Sequence, residues 1–253
     1  MANNKKYFFG DTEVSKEDKI KMVNQVFDSV AKRYDIMNDI LSFGAHRLWK
    51  EILVNSVSNI ISSRREFHYL DLACGTGDIG YKLLDKKSKN INVLMMDINE
   101  TMLEKATKRK EYSEYKKSIN FIVSDAENIP LVSNSVDCIT IAFGIRNVAS
   151  IEKALFEINR VLKCGGKFMC LEFSNVEVPL LKKFYGFYSK NIIPGIGSYI
   201  VKDRRSYQYL VESIERFPKQ DELTDLFTKS GFINSKHKNL SGGIACIHSG
   251  WKM

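Results

Sequence analysis

The chain has no stretch approaching 18 uncharged apolar residues, which excludes a membrane-spanning helix. Its five cysteines, Cys74, Cys138, Cys164, Cys170 and Cys246, are odd in number and form no paired CxxC. They read as small buried residues in a reducing compartment rather than as a disulfide framework. The four histidines, His46, His68, His237 and His248, lack ligand spacing, so no metal is implied. Internal repeats, low-complexity segments and interdomain linkers are absent as well. The opening residues carry neither a secretory apolar segment nor an arginine-rich amphipathic presequence, and the expectation is a cytoplasmic protein.

What is present is an ordinary globular composition, 44% hydrophobic and 27% charged over 253 residues. That length suits one well-buried core, so a single domain over 1–253 is expected. The formal charge of +8 comes from 38 basic and 30 acidic residues, with Lys105, Lys108, Arg109, Lys110, Lys116 and Lys117 clustered. Such a face attracts an anionic membrane surface or a nucleic acid, or is simply solvated. No recognised nucleic-acid module accompanies it, and no nucleic-acid partner is expected.

Residues 17–62 carry helical periodicity in two stripes, one with Val23, Val26, Phe27 and Val30, the other with Leu48, Trp49, Ile52, Leu53, Val57 and Ile60. From residue 67 short apolar runs alternate with helix-length segments, the signature of a mainly parallel sheet covered on both faces. The runs are Phe67–Leu72, Ile91–Met96, Ile119–Val123, Val136–Phe143 and Lys167–Phe173, with helices at 77–87, 100–110 and 150–163. Lys163-Cys-Gly-Gly166 reads as a turn before the fifth strand. A long amphipathic segment begins at Pro179 and is broken at Ile193-Pro-Gly-Ile-Gly197. Helices at 205–216 and 219–230 then precede two runs, Phe232–Leu240 and Gly243–His248, that read as an antiparallel hairpin at the sheet edge.

Tyr69-Leu-Asp-Leu-Ala-Cys-Gly-Thr-Gly-Asp78 reads as a strand, a glycine-bearing loop and a helix start. Asp97 ends the next apolar run, where a carboxylate can accept both hydroxyls of a ribose. The loop has Gly75 and Gly77 but no third glycine of the dinucleotide fingerprint, and Asp71 stands at the strand end. A phosphate-free nucleoside fits better than NAD, and S-adenosyl-L-methionine is the common one. A glycine turn in a generic α/β domain with a solvated Asp97 is the alternative. Asp71 either accepts backbone N–H groups of the loop or sits near the charged amino-acid part of the cofactor.

The chain closely resembles the C-methyltransferases of ubiquinone and menaquinone biosynthesis. The likeness rests on Val26-Phe-Asp-Ser-Val-Ala-Lys-Arg-Tyr-Asp-Ile-Met-Asn-Asp39, Ser42-Phe-Gly-Ala-His-Arg-Leu-Trp-Lys50 and Ala142-Phe-Gly-Ile-Arg-Asn-Val148. Leu171-Glu-Phe-Ser174, Ser206-Tyr-Gln-Tyr-Leu-Val-Glu-Ser-Ile214 and His248-Ser-Gly-Trp-Lys252 add to it, so that it covers about Phe9 to Lys252. Two departures are Cys74 and Cys164, where the family usually has glycine and proline.

The resemblance implies an α/β, class I S-adenosylmethionine-dependent methyltransferase fold: a Rossmann-like, seven-stranded, mainly parallel sheet with an antiparallel last strand and N-terminal helices. A helical cap over 17–62 and a helical substrate-side insertion over 179–218 are expected around it. It implies C-methylation of a polyprenylated benzoquinol or naphthoquinol, with the wording of the N-terminal segment nearer the ubiquinone-side members. Cofactor contacts fall on Asp71, Gly75, Thr76, Gly77, Asp97, Asp125, Ala126 and Ala142. Arg146 and Asn147 are placed beside the substrate, Arg146 stabilising a phenolate and orienting a water, Asn147 aligning a ring oxygen, and Asp125 accepting a proton through that water. Read locally, Arg146-Asn147 is instead a helix-start loop with an ion pair and a partial cap.

Tyr34, Asp35, Phe184, Tyr188 and Ile192 are candidates for the quinol pocket, with packing as the alternative for each. An apolar trough within 180–200 facing lipid would make the protein a peripheral visitor to the inner face of an anionic membrane. A homodimer or a quinone-biosynthesis complex are the protein partners considered. The rival readings are a methyltransferase for another small phenol, amine or carboxylate, and a non-catalytic cofactor-binding scaffold.

Overall fold

The computed structural model describes residues 6–30, 38–40, 42–61, 66–86, 89–177 and 204–253. A short hairpin, β1 (Tyr7–Phe9) and β2 (Thr12–Val14), leads into α1 (Lys16–Val30) and α2 (His46–Ser58). The sheet then begins with β3 (Phe67–Leu72), followed by α3 (Asp78–Lys86), β4 (Ile91–Asp97), α4 (Glu100–Thr107), α5 (Lys110–Tyr115) and β5 (Ile119–Val123). After it come β6 (Val136–Ala142), a 3-10 turn at Ile145–Asn147, α6 (Ile151–Val161), β7 (Leu162–Phe173), α7 (Arg204–Glu215) and α8 (Gln220–Lys229). A hairpin of β8 (Phe232–Leu240) and β9 (Ala245–Lys252) closes the chain.

The seven-stranded sheet has the order β5-β4-β3-β6-β7-β9-β8. The first five strands are parallel, and β9 runs antiparallel to both β7 and β8. The order reverses between β3 and β6, so the loops after these strands part at the carboxyl edge and leave a crevice there, the place where open α/β sheets take ligands.

Side chains alternate across β3, sending Phe67 and Tyr69 to one core and Leu70 and Leu72 to the other. The first core gathers Trp49, Leu53, Tyr81, Phe143 and Phe173 beneath the N-terminal helices; the second gathers Ile139, Leu155, Phe168, Phe227 and Phe232. Local signals start the helices that frame the crevice. Asn99 caps α4 by accepting from the Met102 N–H at 2.9 Å, and Ser150 caps α6 by accepting from Lys153 N–H at 3.3 Å. Gly80 lets α3 approach β4, since a Cβ there would stand 2.4 Å from Met95 Cε.

Several expectations are corrected. The helix expected over 100–110 divides into α4 and α5. Lys163-Cys-Gly-Gly166 is no turn before a strand but an irregularity inside β7: Val136 pairs with Leu162 and Cys138 already with Lys167, so the intervening residues loop out of register. Cys164 is consequently exposed, whereas Cys138, Cys170 and Cys246 are buried. Leu48 is 62% exposed, because it lies one position off the Trp49, Leu53, Val57 stripe that α2 buries. The hairpin β1–β2 has no counterpart in the sequence reading. Tyr34, Asp35, Phe184, Tyr188, Ile192 and the break at 193–197 lie outside the described residues.

Candidate active site

Asp97 ends β4 at the floor of a cleft of about 770 Å³, its open mouth included. Each carboxylate oxygen accepts one backbone N–H, Oδ2 from Gly75 at 2.7 Å and Oδ1 from Asn99 at 2.8 Å. A carboxylate has about four lone-pair sites, so both oxygens can accept a further donor. Burial raises the Asp97 carboxyl above its ordinary range, while the N–H groups of Asn99, Gly75 and Ile98 pull it back. These aimed dipoles favour the charged acceptor that a ribose diol needs.

The walls follow from the neighbouring loops. After β5, Ser124, Asp125 and Ala126 line one end, and the Asp125 side chain is held by the Glu127 N–H at 2.9 Å. After β6, Phe143, Gly144, Asn147 and Val148 line the other end. Ile20, Val23, Asn24 and Phe27 of α1 cover the opening. Three polar contacts fix α1 there: Lys16 Nζ to Glu127 at 2.7 Å, Lys19 Nζ to the Val148 carbonyl at 2.8 Å, and Asn99 Nδ2 to Asp28 at 2.9 Å. A nucleoside fits this cleft, for a carboxylate stands at its floor, apolar faces bound it, and no atom lies within 4 Å of where a Cβ on Gly75 would project.

Asp71, Thr76 and Ala142 fall in a smaller depression on the far side of the glycine loop, together with Lys50 and Asp78. Gly77 closes that loop by donating its N–H to the Cys74 carbonyl at 2.9 Å. Asp71 is 1% exposed and accepts from the Gly80 N–H at 3.0 Å, a donor in the first turn of α3 rather than in the loop itself. Burial pushes its carboxyl up to about 7, with Asp78 adding to the rise and Gly80, Thr140 and Lys50 opposing it.

That shift has a sign. A carboxyl protonated more readily when folded contributes stability that is complete below its unfolded value of 3.8 and lost as pH rises through about 7. His248, whose burial lowers it to about 4, works the other way and loses stability as pH falls from 6.5. Comparing Asp71→Asn with the wild type removes the histidine contribution from the difference. The variant gains relative stability between pH 4 and 7, by roughly 4 kcal/mol at most, and then levels off. Denaturant melts that run parallel across that window would refute the burial argument.

Arg146 does not line the nucleoside cleft. It borders an adjoining groove together with Tyr7, Phe8, Lys19 and Tyr209, but its side chain turns inward and is 1% exposed. There Nη1 donates to the Phe143 carbonyl at 3.0 Å and to Glu172 Oε1 at 2.5 Å. The ion pair of the local reading is therefore real. Asn147 provides no cap; its Oδ1 accepts from the Tyr209 hydroxyl at 2.9 Å, and Tyr209 stacks on Phe9 at 4.3 Å.

The cleft thus joins Gly75, Asp97, Asp125, Ala126 and Asn147, and leaves Asp71, Thr76, Ala142 and Arg146 on its flanks. Sequence reasoning missed Asn99, Glu172, Tyr209 and the cleft face of α1. Asn99 carried a legible signal, an N-cap residue two positions after the strand-end aspartate. Among the described residues no His, Cys, Asp or Glu group could hold a metal ion.

The sheet order, the reversal point and the strand-end carboxylate at its crevice define the fold of the class I S-adenosylmethionine-dependent methyltransferases. More narrowly, the chain belongs to the ubiE/COQ5 methyltransferase family, which it matches over residues 12–252. It is 47% identical to a ubiquinone/menaquinone biosynthesis C-methyltransferase of Rickettsia bellii, over 97% of this chain and 98% of that protein. In structure it is similar to a methyltransferase from Thermotoga maritima, with a TM-score of 0.62, 21% identity, and coverage of 91% of this chain and 100% of that one. It is also similar to the cyclase SpnF, with a TM-score of 0.66, 14% identity, and coverage of 92% and 96%. Since a cyclase shares the fold, the fold alone does not set the chemistry.

Proposed function

We propose that the protein methylates a ring carbon of a polyprenylated benzoquinol or naphthoquinol. The observation that carries this reading is the junction at Asn147, which lines the nucleoside cleft while Arg146, the residue before it, borders the next groove. A ring seated at that junction would have a nucleoside on one side and, behind the wall on the other, the buried guanidinium of Arg146. S-adenosylmethionine supplies the electrophilic methyl.

Asp97 accepts the ribose hydroxyls, Asp125 and Ala126 bound the adenine, and Gly75, Thr76, Gly77, Asp71 and Ala142 surround the amino-acid end. Asn147 aligns a ring oxygen and Arg146 stabilises the phenolate, whose charge makes the ortho carbon nucleophilic. The phenol's ordinary pKa is near ~10, so ionisation at neutral pH needs this help. The apolar face of α1, with Ile20, Val23 and Phe27, keeps water from the methyl. Residues 17–62 act as a cap and 179–218 as the substrate side of a single domain. The prenyl tail stays partly in lipid, and the lysine-rich surface meets anionic head groups during entry. No helix among the described residues is long and apolar enough to cross a membrane.

The test is transfer of labelled methyl to reduced 2-polyprenyl-6-methoxy-1,4-benzoquinol and to reduced demethylmenaquinone, with the methyl position determined. Carbon methylation of either ring supports the reading and gives the preference. Cofactor binding with no product from either overturns it. Co-sedimentation with anionic vesicles in the same preparation tests the membrane contact separately, and its absence removes that element alone.

A further inference from the structure

The depression on the far side of the glycine loop measures about 320 Å³, its mouth included. Ala73, the first residue after β3, lines both this depression and the nucleoside cleft, so the two spaces are neighbours across one residue. Among the described residues that border the depression, the cation is Lys50 of α2, and Asp71 and Asp78 are the carboxyl groups. Lys50 is 4% exposed and lies on the helix face that also buries His46, Trp49, Leu53 and Val57. A lysine is almost never so buried unless it is paired. Here Nζ meets Oδ2 of Asp78, at the start of α3, at 3.0 Å. Burial would raise the Asp78 carboxyl, and Lys50, followed by Lys82 and Arg109, holds it below the ordinary carboxylate range.

A pair this dry adds little net stability, because the desolvation of two charges offsets their attraction, and an apolar residue would pack α2 as well. The position gains a use once the neighbouring cleft holds a nucleoside that carries an amino acid. Such a tail ends in one carboxylate and one ammonium, the complement of one lysine and two acidic side chains. We propose that Lys50 binds the α-carboxylate of the cofactor, and that this contact makes the site select complete S-adenosylmethionine and S-adenosylhomocysteine over nucleosides without that carboxylate. The proposal deepens the cofactor reading above and rests on it.

The division of labour follows from the chemistry of each group. An ammonium carries three donors and no acceptor, and Asp78 accepts one of them. It is a point charge that takes a carboxylate in many orientations, so the tail is held by charge rather than by a fixed bidentate geometry. The cofactor ammonium faces the acidic side of the depression, Asp71 and Asp78. Both contacts act at the far end of the tail from the sulfonium. They fix the tail without touching the reacting methyl, which is how remote binding contributes to orientation. Lys50 is kept in place by contacts of α2 with α3 that do not involve the aromatic packing of Trp49: Lys86 Nζ donates to Asn55 Oδ1 at 2.7 Å and pairs with Glu51.

The test compares S-adenosylhomocysteine with its decarboxylated analogue, 5′-deoxy-5′-(3-aminopropylthio)adenosine, which keeps the ammonium, by calorimetric titration of the whole chain. The wild type should bind the analogue about 10- to 100-fold more weakly, the worth of one charge-assisted contact. Lys50→Met should bring the affinity for S-adenosylhomocysteine down to within threefold of that for the analogue, while its affinity for 5′-methylthioadenosine stays within threefold of the wild type. Should Lys50→Met fail to fold, Lys50→Gln, which keeps a donor for Asp78 and drops the charge, carries the same comparison. Equal affinity of the wild type for S-adenosylhomocysteine and the analogue would overturn the inference without any variant. So would a Lys50 variant that weakens all three ligands alike, the mark of a merely structural tie between α2 and α3, or one that keeps the wild-type preference. A wild-type protein that binds neither S-adenosylhomocysteine nor 5′-methylthioadenosine would instead sink the cofactor reading on which the inference stands.

Discussion

Asp97→Ala will weaken S-adenosylmethionine binding by on the order of 100- to 10,000-fold. Two charge-assisted hydrogen bonds to a ribose diol are each worth about 1.5–3 kcal/mol, and 1.4 kcal/mol is a tenfold change in Kd. The substitution also frees the Gly75 and Asn99 N–H groups that the carboxylate now fixes at 2.7 and 2.8 Å. The loop that meets the amino-acid end therefore loosens with the ribose contact. The fold should survive, because burial already disfavours the charge on Asp97 and the residue sits at a strand end rather than inside a core. Calorimetric titration with S-adenosylmethionine and S-adenosylhomocysteine measures the effect for both ligands. Equal losses for the two would follow from a shared ribose contact. A Kd within threefold of the wild type would remove Asp97 from the cofactor site.

The same aspartate shows why part of the site was legible before the fold. A carboxylate at the last position of a buried strand is a local pattern, and its chemistry toward a diol needs no partner elsewhere in the sequence. The sheet was legible for a related reason, as Ile91–Asp97 and Val136–Ala142 are covered on both faces and read as nearly unbroken apolar runs. Arg146 is different. The direction it takes depends on Phe143, which carries a φ of 59°, and on Glu172, 26 residues away on β7. Neither a positive φ at a phenylalanine nor a pairing over that distance leaves a mark in local sequence. The cleft face of α1 was hidden by its own regularity, since Val23 and Phe27 have the spacing of any core-facing stripe. The three-residue strands Tyr7–Phe9 and Thr12–Val14 are shorter than any window in which alternation can be recognised.

Trp49→Ala will lower stability by about 3–5 kcal/mol, the usual range for removing a large buried aromatic side chain. Trp49 is 1% exposed and ties four parts of the molecule together. It stands in α2, meets Phe143 after β6 at 6.4 Å, packs edge-on to Phe173 at the end of β7 at 6.0 Å, and donates to Ser241 Oγ at 3.0 Å in the turn before β9. For a chain of this length a loss of that size lowers Tm by roughly 6–20 °C. The consequence for function should be uneven. Phe143 and Phe173 flank the Arg146–Glu172 pair, and the Arg146 guanidinium lies 5.6 Å from the Phe173 ring centre. Asp97 depends on none of these contacts. Well below its Tm, the variant should bind S-adenosylmethionine nearly as the wild type does while kcat for quinol falls at least tenfold. Trp49→Phe, which keeps a ring and gives up the bond to Ser241, should fall between the two. A Trp49→Ala protein that melts within 3 °C of the wild type would contradict the packing argument. One that loses cofactor affinity and turnover in equal proportion would mean that the aromatic cluster supports the whole crevice, not only the end where the ring is methylated.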